Sequence, residues 1–334
     1  MRAKGMTYDT GFVRHGDISR KHFDPGVVRR ELTVIRDELH CNAVQLIGGD
    51  PERLEFAAGV AAELGLEVWF SPYPLELSPD EILELFADCA HRAERVRRTG
   101  AEVVFVAGVE MTLMNPGYLP GDHVGDRVAR LLGAEQPRKV ELITTSSRAL
   151  NEFLGKAVAA IRERFGGKVT YCAVPLERVD WSVFDFVAVE LIRSAAVADQ
   201  FEQGVRTLVA QGKPVAITGF GSAAWKGAPD VAPTAMDIVE NDENGVPLRL
   251  DGVYERDEDG QARYLREVLD VFDREGVDAT FVFMFALENY PHRPGGDPRD
   301  DLDLASPSIV RVGEDGHSWE PKAAFHAVAA SYLK

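Results

Sequence analysis

Residues 43–81 read AVQLIGGDPERLEFAAGVAAELGLEVWFSPYPLELSPDE, and this stretch decides the fold. Two short β-rich runs, Ala43–Ile47 and Glu67–Phe70, enclose a helical pattern that starts at Asp50-Pro51. A second helix start, Ser78-Pro79-Asp80-Glu81, combines an N-cap residue, a first-turn proline and an acidic first turn. Strands that alternate with helices in this way are typical of βα units around a parallel sheet.

The same alternation continues through the chain and gives eight strands. Closing eight parallel strands removes both sheet edges, so we predict a single (β/α)₈ barrel of the TIM type over residues 1–334. Its long loops are expected at about 111–147, 222–260 and 289–316. An open doubly wound sheet is the alternative, but it calls for a Gly-rich phosphate turn where the chain has Thr10-Gly11-Phe12. The predicted strands are Lys4–Tyr8, Ala43–Ile47, Glu67–Phe70, Val103–Ala107, Lys168–Cys172, Phe186–Glu190, Pro214–Thr218 and Thr280–Phe285.

The composition limits the classes of partner. The formal net charge is -17, and no basic cluster outweighs its acidic neighbours, so we expect neither a nucleic acid nor an anionic membrane as partner. Three cysteines without pairing spacing and the lack of a signal-peptide pattern favour a cytoplasmic protein. No phosphate-binding or nucleophile-elbow motif is present, so we expect a small-molecule substrate and no cofactor.

Carboxylates follow most of the predicted strands at the end where TIM barrels carry their active sites. Asp9, Glu110, Glu190 and Glu288 are the catalytic candidates, and crowding in one mouth is expected to raise some of their pKa values. Asp9 has an alternative role as a turn cap. The remaining strand-end acids are expected to cap a helix, as Asp50 does, or to lie in solvated loops, as do Glu76 and Glu177.

Aromatic side chains share the predicted rim. Several of them around one mouth favour a ring-bearing or partly apolar substrate. The candidate substrate-binding residues are Tyr8, Trp69, Tyr73, Trp225, Tyr290 and His292.

The run from Asp297 to Asp303 is rich in acids and lies near His292, which suggests a cation site. Its spacing matches no known metal motif. We therefore expect no metal, with these acids pairing with Arg293 and Arg299 and capping a short helix.

Four segments carry a resemblance to a known group. They are Lys4–Phe12, Gly65–Pro72, Gly212–Thr218 and Asp297–Asp303, and they resemble actinobacterial proteins often labelled "abortive infection protein" over nearly the whole chain. That group is similar to retaining glycoside hydrolases of the clan built on TIM barrels. The resemblance implies an acid/base glutamate after strand four, where Glu110 lies, and a nucleophilic glutamate after strand seven, where the chain has Gly219.

Glycine has no side chain with which to attack, so the resemblance implies a hydrolase-like barrel without its usual nucleophile. We expect non-hydrolytic acid/base chemistry, a lyase- or isomerase-type cyclase that performs cyclisation, isomerisation or elimination on a small metabolite of secondary metabolism. Two alternatives stay open: a glycoside hydrolase with rearranged carboxylates, in which Glu190 or Glu288 takes over, and an inactive sugar-binding barrel.

Overall fold

The computed structural model describes residues 1–14, 16–242 and 245–334. Eight parallel strands form one closed barrel, in the spatial order β1-β8-β7-β6-β5-β4-β3-β2. Closure confirms the predicted TIM barrel and excludes the open sheet. The strands are β1 (Ala3–Gly11), β2 (Ala43–Gly48), β3 (Glu67–Pro72), β4 (Val103–Val109), β5 (Lys168–Ala173), β6 (Val187–Glu190), β7 (Val215–Phe220) and β8 (Ala279–Val282).

The strand β1 closes the barrel because it pairs on both sides. Its residues Ala3 to Met6 align with β8, and its residues from Gly5 onward align with β2. On the far side, Glu190 at the end of β6 is in register with Gly219 of β7. The carboxyl ends of all eight strands therefore meet in one mouth.

Helices surround the barrel. Two of them begin where the sequence predicts, since Asp50 accepts backbone N–H bonds at the start of α2 and Ser78 forms a capping box at the start of α3. Asp24 likewise accepts a backbone N–H bond at the start of α1. The helices are α1 (Pro25–Asp37), α2 (Pro51–Glu63), α3 (Pro79–Arg97), α4 (Met111–Met114), α5 (Val124–Gly133), α6 (Gln136–Arg162), α7 (Ala198–Val209), α8 (Glu258–Arg274) and α9 (Ala323–Tyr332).

The core has two layers, because neighbouring residues of a strand point to opposite faces of the barrel wall. The larger layer lies between strands and helices. The smaller one fills the inside of the barrel, where Trp69 lies 4.7 Å from Phe281 and 5.1 Å from Phe186, ring centre to ring centre. The barrel is thus closed below the mouth by packed side chains.

The three long connections at the mouth carry short elements of their own. Residues 111–147 hold α4, α5 and the start of α6, which begins at Gln136, inside the stretch predicted as a loop. Residues 222–260 include the 3₁₀ segment Ala228–Thr234 and a small antiparallel strand pair. Within the described part of the chain, no helix combines the length and apolar character needed to cross a membrane.

Candidate active site

Two glutamates share a cavity of about 320 Å³ in the mouth of the barrel. Glu110 follows the end of β4, and Glu190 is the last residue of β6. The walls are mainly apolar, with Ile47, Val109 and Phe283 among the lining side chains. An apolar wall excludes water and so strengthens every electrostatic interaction inside the cavity.

The position of Glu190 explains the glycine on the neighbouring strand. A Cβ atom on residue 219 would overlap the carboxylate oxygen Oε2 of Glu190. The other carboxylate oxygen of Glu190 accepts a hydrogen bond from the hydroxyl of Thr218, 3.1 Å away. The space beside β7 is thus filled by a carboxylate that comes from β6.

Glu110 has an unusual backbone conformation. Its φ of 49° lies in the left-handed region, which residues other than glycine rarely adopt. Its backbone N–H donates to the carbonyl of Cys172 on β5, and its own carbonyl accepts the first bonds of α4. These hydrogen bonds on both sides of Glu110 hold its backbone in the strained conformation.

A third buried acid fixes the turn that follows Glu110. Glu177 accepts hydrogen bonds from the backbone N–H of Thr112 at 3.0 Å, from the Thr112 hydroxyl at 2.8 Å and from the Tyr171 hydroxyl at 2.9 Å. The Tyr171 oxygen in turn accepts from the backbone N–H of Met111. The expectation that Glu177 is a solvated loop residue is wrong, because it lies buried beneath α4.

Burial shifts the pKa values of these three acids upward, and charge repulsion adds to the shift for Glu110 and Glu190. Burial raises the pKa of Glu110 well above its usual value, and the charges of Glu190 and Glu177 add to the shift. Burial likewise raises the pKa of Glu190 to about 7, against the hydrogen bond from Thr218. The pKa of Glu177 is also raised by burial, to about 7. Among the described residues, no cation forms an ion pair with any of the three.

The other two catalytic candidates lie on a different side of the mouth. The Asp9 carboxylate accepts from the backbone N–H of Gly11 at 2.6 Å and from the Ser19 hydroxyl at 2.7 Å, so it acts as a turn cap and does not line the glutamate cavity. Glu288 forms a buried ion pair with Arg20 at 2.8 Å and lines a separate cavity of about 460 Å³. The structure therefore brings Glu110 and Glu190 together and leaves Asp9 and Glu288 apart from them.

Of the candidate substrate-binding residues, Tyr73 lines the glutamate cavity, and Tyr290 lines a second cavity next to it. The others lie elsewhere. Tyr8 points outward and donates to Glu31 of α1, and Trp69 is packed inside the barrel below the mouth. Trp225 donates its indole N–H to the carbonyl of Ala235 within a separate loop cluster.

The last substrate-binding candidate, His292, belongs to an ion-pair network. The ligand atoms of His292, Asp301 and Asp303 lie within 4.8 Å of one another. The guanidinium of Arg256 reaches both aspartates, at 2.9 and 2.7 Å, and the buried amine of Lys322 reaches Asp303 at 2.8 Å. Two positive charges at these carboxylates oppose a metal cation there. The guanidinium groups of Arg293 and Arg299 pair with Glu314 and Glu240 instead, so the predicted pairing with these two arginines is wrong. The predicted capping of a short helix is confirmed, because Asp297 caps Pro298–Asp300.

Two polar side chains on the cavity wall were not predicted from the sequence. Thr7 of β1 and Gln45 of β2 line it, and the buried oxygens Oγ1 of Thr7 and Oε1 of Gln45 have no hydrogen-bond partner among the described residues. Buried polar atoms are normally satisfied, so an unsatisfied pair in a cavity indicates a place where a polar ligand binds.

No protein-family model and no curated protein matches the sequence. Solved structures do match the fold. One is a GH113 β-1,4-mannanase in complex form, with 15% identity, a TM-score of 0.63 and all of both chains covered. Another is the GH113 β-mannanase AaManA from Alicyclobacillus acidocaldarius, with 15% identity, a TM-score of 0.59 and coverage of 99% of this chain and 97% of that one. A third is a family 1 β-glucosidase from Thermotoga maritima, with 12% identity, a TM-score of 0.60 and the same coverage.

The fold is therefore that of a glycoside-hydrolase-like barrel. These neighbours are all glycoside hydrolases, so the expected lyase- or isomerase-type cyclase is wrong. Identity at this level shows the fold alone, and the reaction has to be argued from the residues of this chain.

Proposed function

We propose that this chain is a β-glycoside hydrolase in which Glu190 acts as the nucleophile and Glu110 as the acid/base. The observation that carries the proposal is the overlap between the Glu190 carboxylate and the side-chain position of Gly219. The resemblance implies a nucleophile on strand seven. A carboxylate from β6 stands in that place, next to a second carboxylate on β4.

In the proposed reaction the glycosidic oxygen receives the proton of Glu110 as its bond to the anomeric carbon breaks. The Glu190 carboxylate attacks that carbon and forms a glycosyl ester. Water then attacks the same carbon, Glu110 takes the water's proton, and Glu190 is released as carboxylate. Each bond that forms or breaks is balanced by these two residues and one water, as in a double displacement.

The pKa shifts agree with these two roles. The reaction needs Glu190 ionised and Glu110 protonated at the same time. Because the pKa of Glu190 is about 7 and that of Glu110 is raised well above its usual value, activity is expected to rise as the pH rises through about 7. It should fall again when Glu110 loses its proton.

The cavity also suits a polyhydroxylated ligand at its polar end. Sugar hydroxyls would satisfy Oγ1 of Thr7 and Oε1 of Gln45. The Tyr73 ring on the same wall offers an aromatic face to a sugar ring.

The test is a panel of aryl β-glycosides with wild-type protein and three variants. Glu190→Gln should lower kcat by about 10⁴-fold or more, because the nucleophile is lost. Glu110→Gln should lower it by about 10²- to 10⁴-fold for a phenol leaving group, and far less for dinitrophenol, which needs no proton. Glu84→Gln is the control, because Glu84 is exposed on α3 and forms no ion pair with any described residue.

If no glycoside in the panel is hydrolysed but sugars bind measurably, the result would identify an inactive sugar-binding barrel. Full activity of Glu190→Gln would show that the nucleophile lies elsewhere.

A further inference from the structure

A second cavity of about 220 Å³ lies next to the glutamate cavity in the mouth. The two share Tyr73, Met236 and Phe283 in their walls. Arg14 lines the second cavity together with Tyr290. A ligand held between Glu110 and Glu190 therefore extends toward a guanidinium group.

Arg14 has no counter-ion among residues 1–14, 16–242 and 245–334, where no carboxylate lies within 4.0 Å of its guanidinium. By contrast, the buried Arg20 and Arg127 and the half-buried Arg256 all pair with carboxylates. The acid on the same wall, Asp17, is engaged by Lys21 at 3.5 Å.

The polar atoms of Arg14 are poorly satisfied. Its Nε is buried and makes no hydrogen bond to any described residue. Its Nη2 has one side-chain contact, the thioether sulfur of Met114 at 3.9 Å, which is a weak acceptor. Leaving a buried donor unsatisfied costs free energy that a ligand acceptor can recover.

We propose that the Arg14 cavity binds the carboxylate of a uronic acid unit in the substrate. The planar guanidinium fork matches a carboxylate, with two parallel N–H···O bonds. The rings of Phe12, Tyr73 and Tyr290 line the same cavity and offer faces for the sugar ring. The inference rests on the proposed function in so far as it places this unit beside the bond that is cleaved.

The test measures binding and not turnover, so its outcome is independent of the proposed hydrolysis. Methyl β-D-glucuronide and methyl β-D-glucoside differ in one carboxylate, and their affinities are compared by isothermal titration with the full chain. The wild-type protein should bind the glucuronide about 10- to 100-fold more tightly, as charge-assisted hydrogen bonds predict. Added salt should weaken the binding of the glucuronide more than the binding of the glucoside.

Three variants decide whether Arg14 is the cause. Arg14→Gln should bring the affinity ratio of the two sugars close to one, and Arg14→Lys, which keeps the charge but not the fork, should leave an intermediate ratio. Arg148→Gln is the matched control, because Arg148 is exposed on α6, and it should keep the wild-type ratio. Thermal unfolding checks that every variant is folded.

Equal affinity for the two sugars in the wild-type protein overturns the proposal, as does an unchanged ratio in Arg14→Gln. Tighter binding of the glucoside 6-sulfate than of the glucuronide also overturns it, because the site then selects a tetrahedral anion. A glucuronide that binds as predicted while no glycoside is hydrolysed keeps the Arg14 site and refutes the proposed function.

Discussion

Two groups of buried acids lie in the mouth of this barrel, and they differ in what neutralises them. Asp9, Glu31 and Glu288 surround the buried guanidinium of Arg20, which lies 2.7 Å from Glu31 and 2.8 Å from Glu288. Glu110, Glu190 and Glu177 have no such cation within the described chain.

Burial raises pKa values in both groups, to about 6 for Asp9 and about 8 for Glu288 on the Arg20 side, where the charge of Arg20 opposes each shift. A raised pKa therefore does not by itself distinguish a catalytic acid from a structural one. The useful difference is that Glu31 and Glu288 pair with Arg20, whereas Glu110 and Glu190 share one cavity and have no ion-pair partner among the described residues.

The largest expected effect concerns the Arg20 group. Arg20→Met leaves Glu31 and Glu288 buried without their cation, and breaking a buried ion pair of this kind costs about 3–5 kcal/mol. Urea unfolding measures the loss in the free energy of unfolding, with Arg148→Met as the exposed control. A loss below about 1 kcal/mol would show that Arg20 does not hold this side of the barrel.

The second effect concerns the glutamate pair. Gly219→Ala places a Cβ where the Glu190 carboxylate lies, so the carboxylate has to move. A displacement of about 1 Å is expected to lower kcat by about 10²-fold. Gly59→Ala is the control, since its added Cβ meets nothing within 4 Å and alanine favours the interior of α2. Unchanged activity in Gly219→Ala would separate Glu190 from the reaction.

The smallest effect is a shift in the pH profile. The charge of Glu177 helps to raise the pKa values of Glu110 and Glu190, so Glu177→Gln should lower both. The rise of activity near pH 7 should then move to lower pH by less than about one unit, which is less than about 1.4 kcal/mol. A loss of activity with an unmoved profile would mean that Glu177 only supports the α4 turn.

The fold was predictable from the sequence because each βα unit carries local signals. The N-cap residue before a first-turn proline, as at Asp50-Pro51, fixes where a helix begins without reference to the rest of the chain. Alternation along the strands is equally local and produced the correct strand count.

The site was predictable only in part, because it depends on which face a side chain takes. Thr7 faces the cavity, whereas its neighbour Tyr8 faces α1. Tyr8, and not Thr7, was predicted to bind the substrate, and that prediction is wrong. Trp69 faces the inside of the barrel, but it lies below the mouth and is too deep to line the cavity. The burial of Glu177 arises from its contacts with Tyr171 and α4, which are distant in sequence.

Gly219 is the clearest example of a site feature that depends on packing and cannot be predicted from the sequence. The sequence reveals a missing side chain on strand seven, and only the packing of two strands reveals that Glu190 fills the space. Under the proposed function, the side chain missing from strand seven is replaced by Glu190 of the neighbouring strand.

Covalent trapping tests this replacement most directly. A 2-deoxy-2-fluoro β-glycoside with a dinitrophenyl leaving group should accumulate as a glycosyl ester, which intact-protein mass spectrometry detects and peptide mapping locates. We predict a single label on Glu190, absent from the Glu190→Gln variant. A label on any other residue, or steady turnover with inversion at the anomeric carbon and no label, would contradict the assignment of Glu190 as the nucleophile.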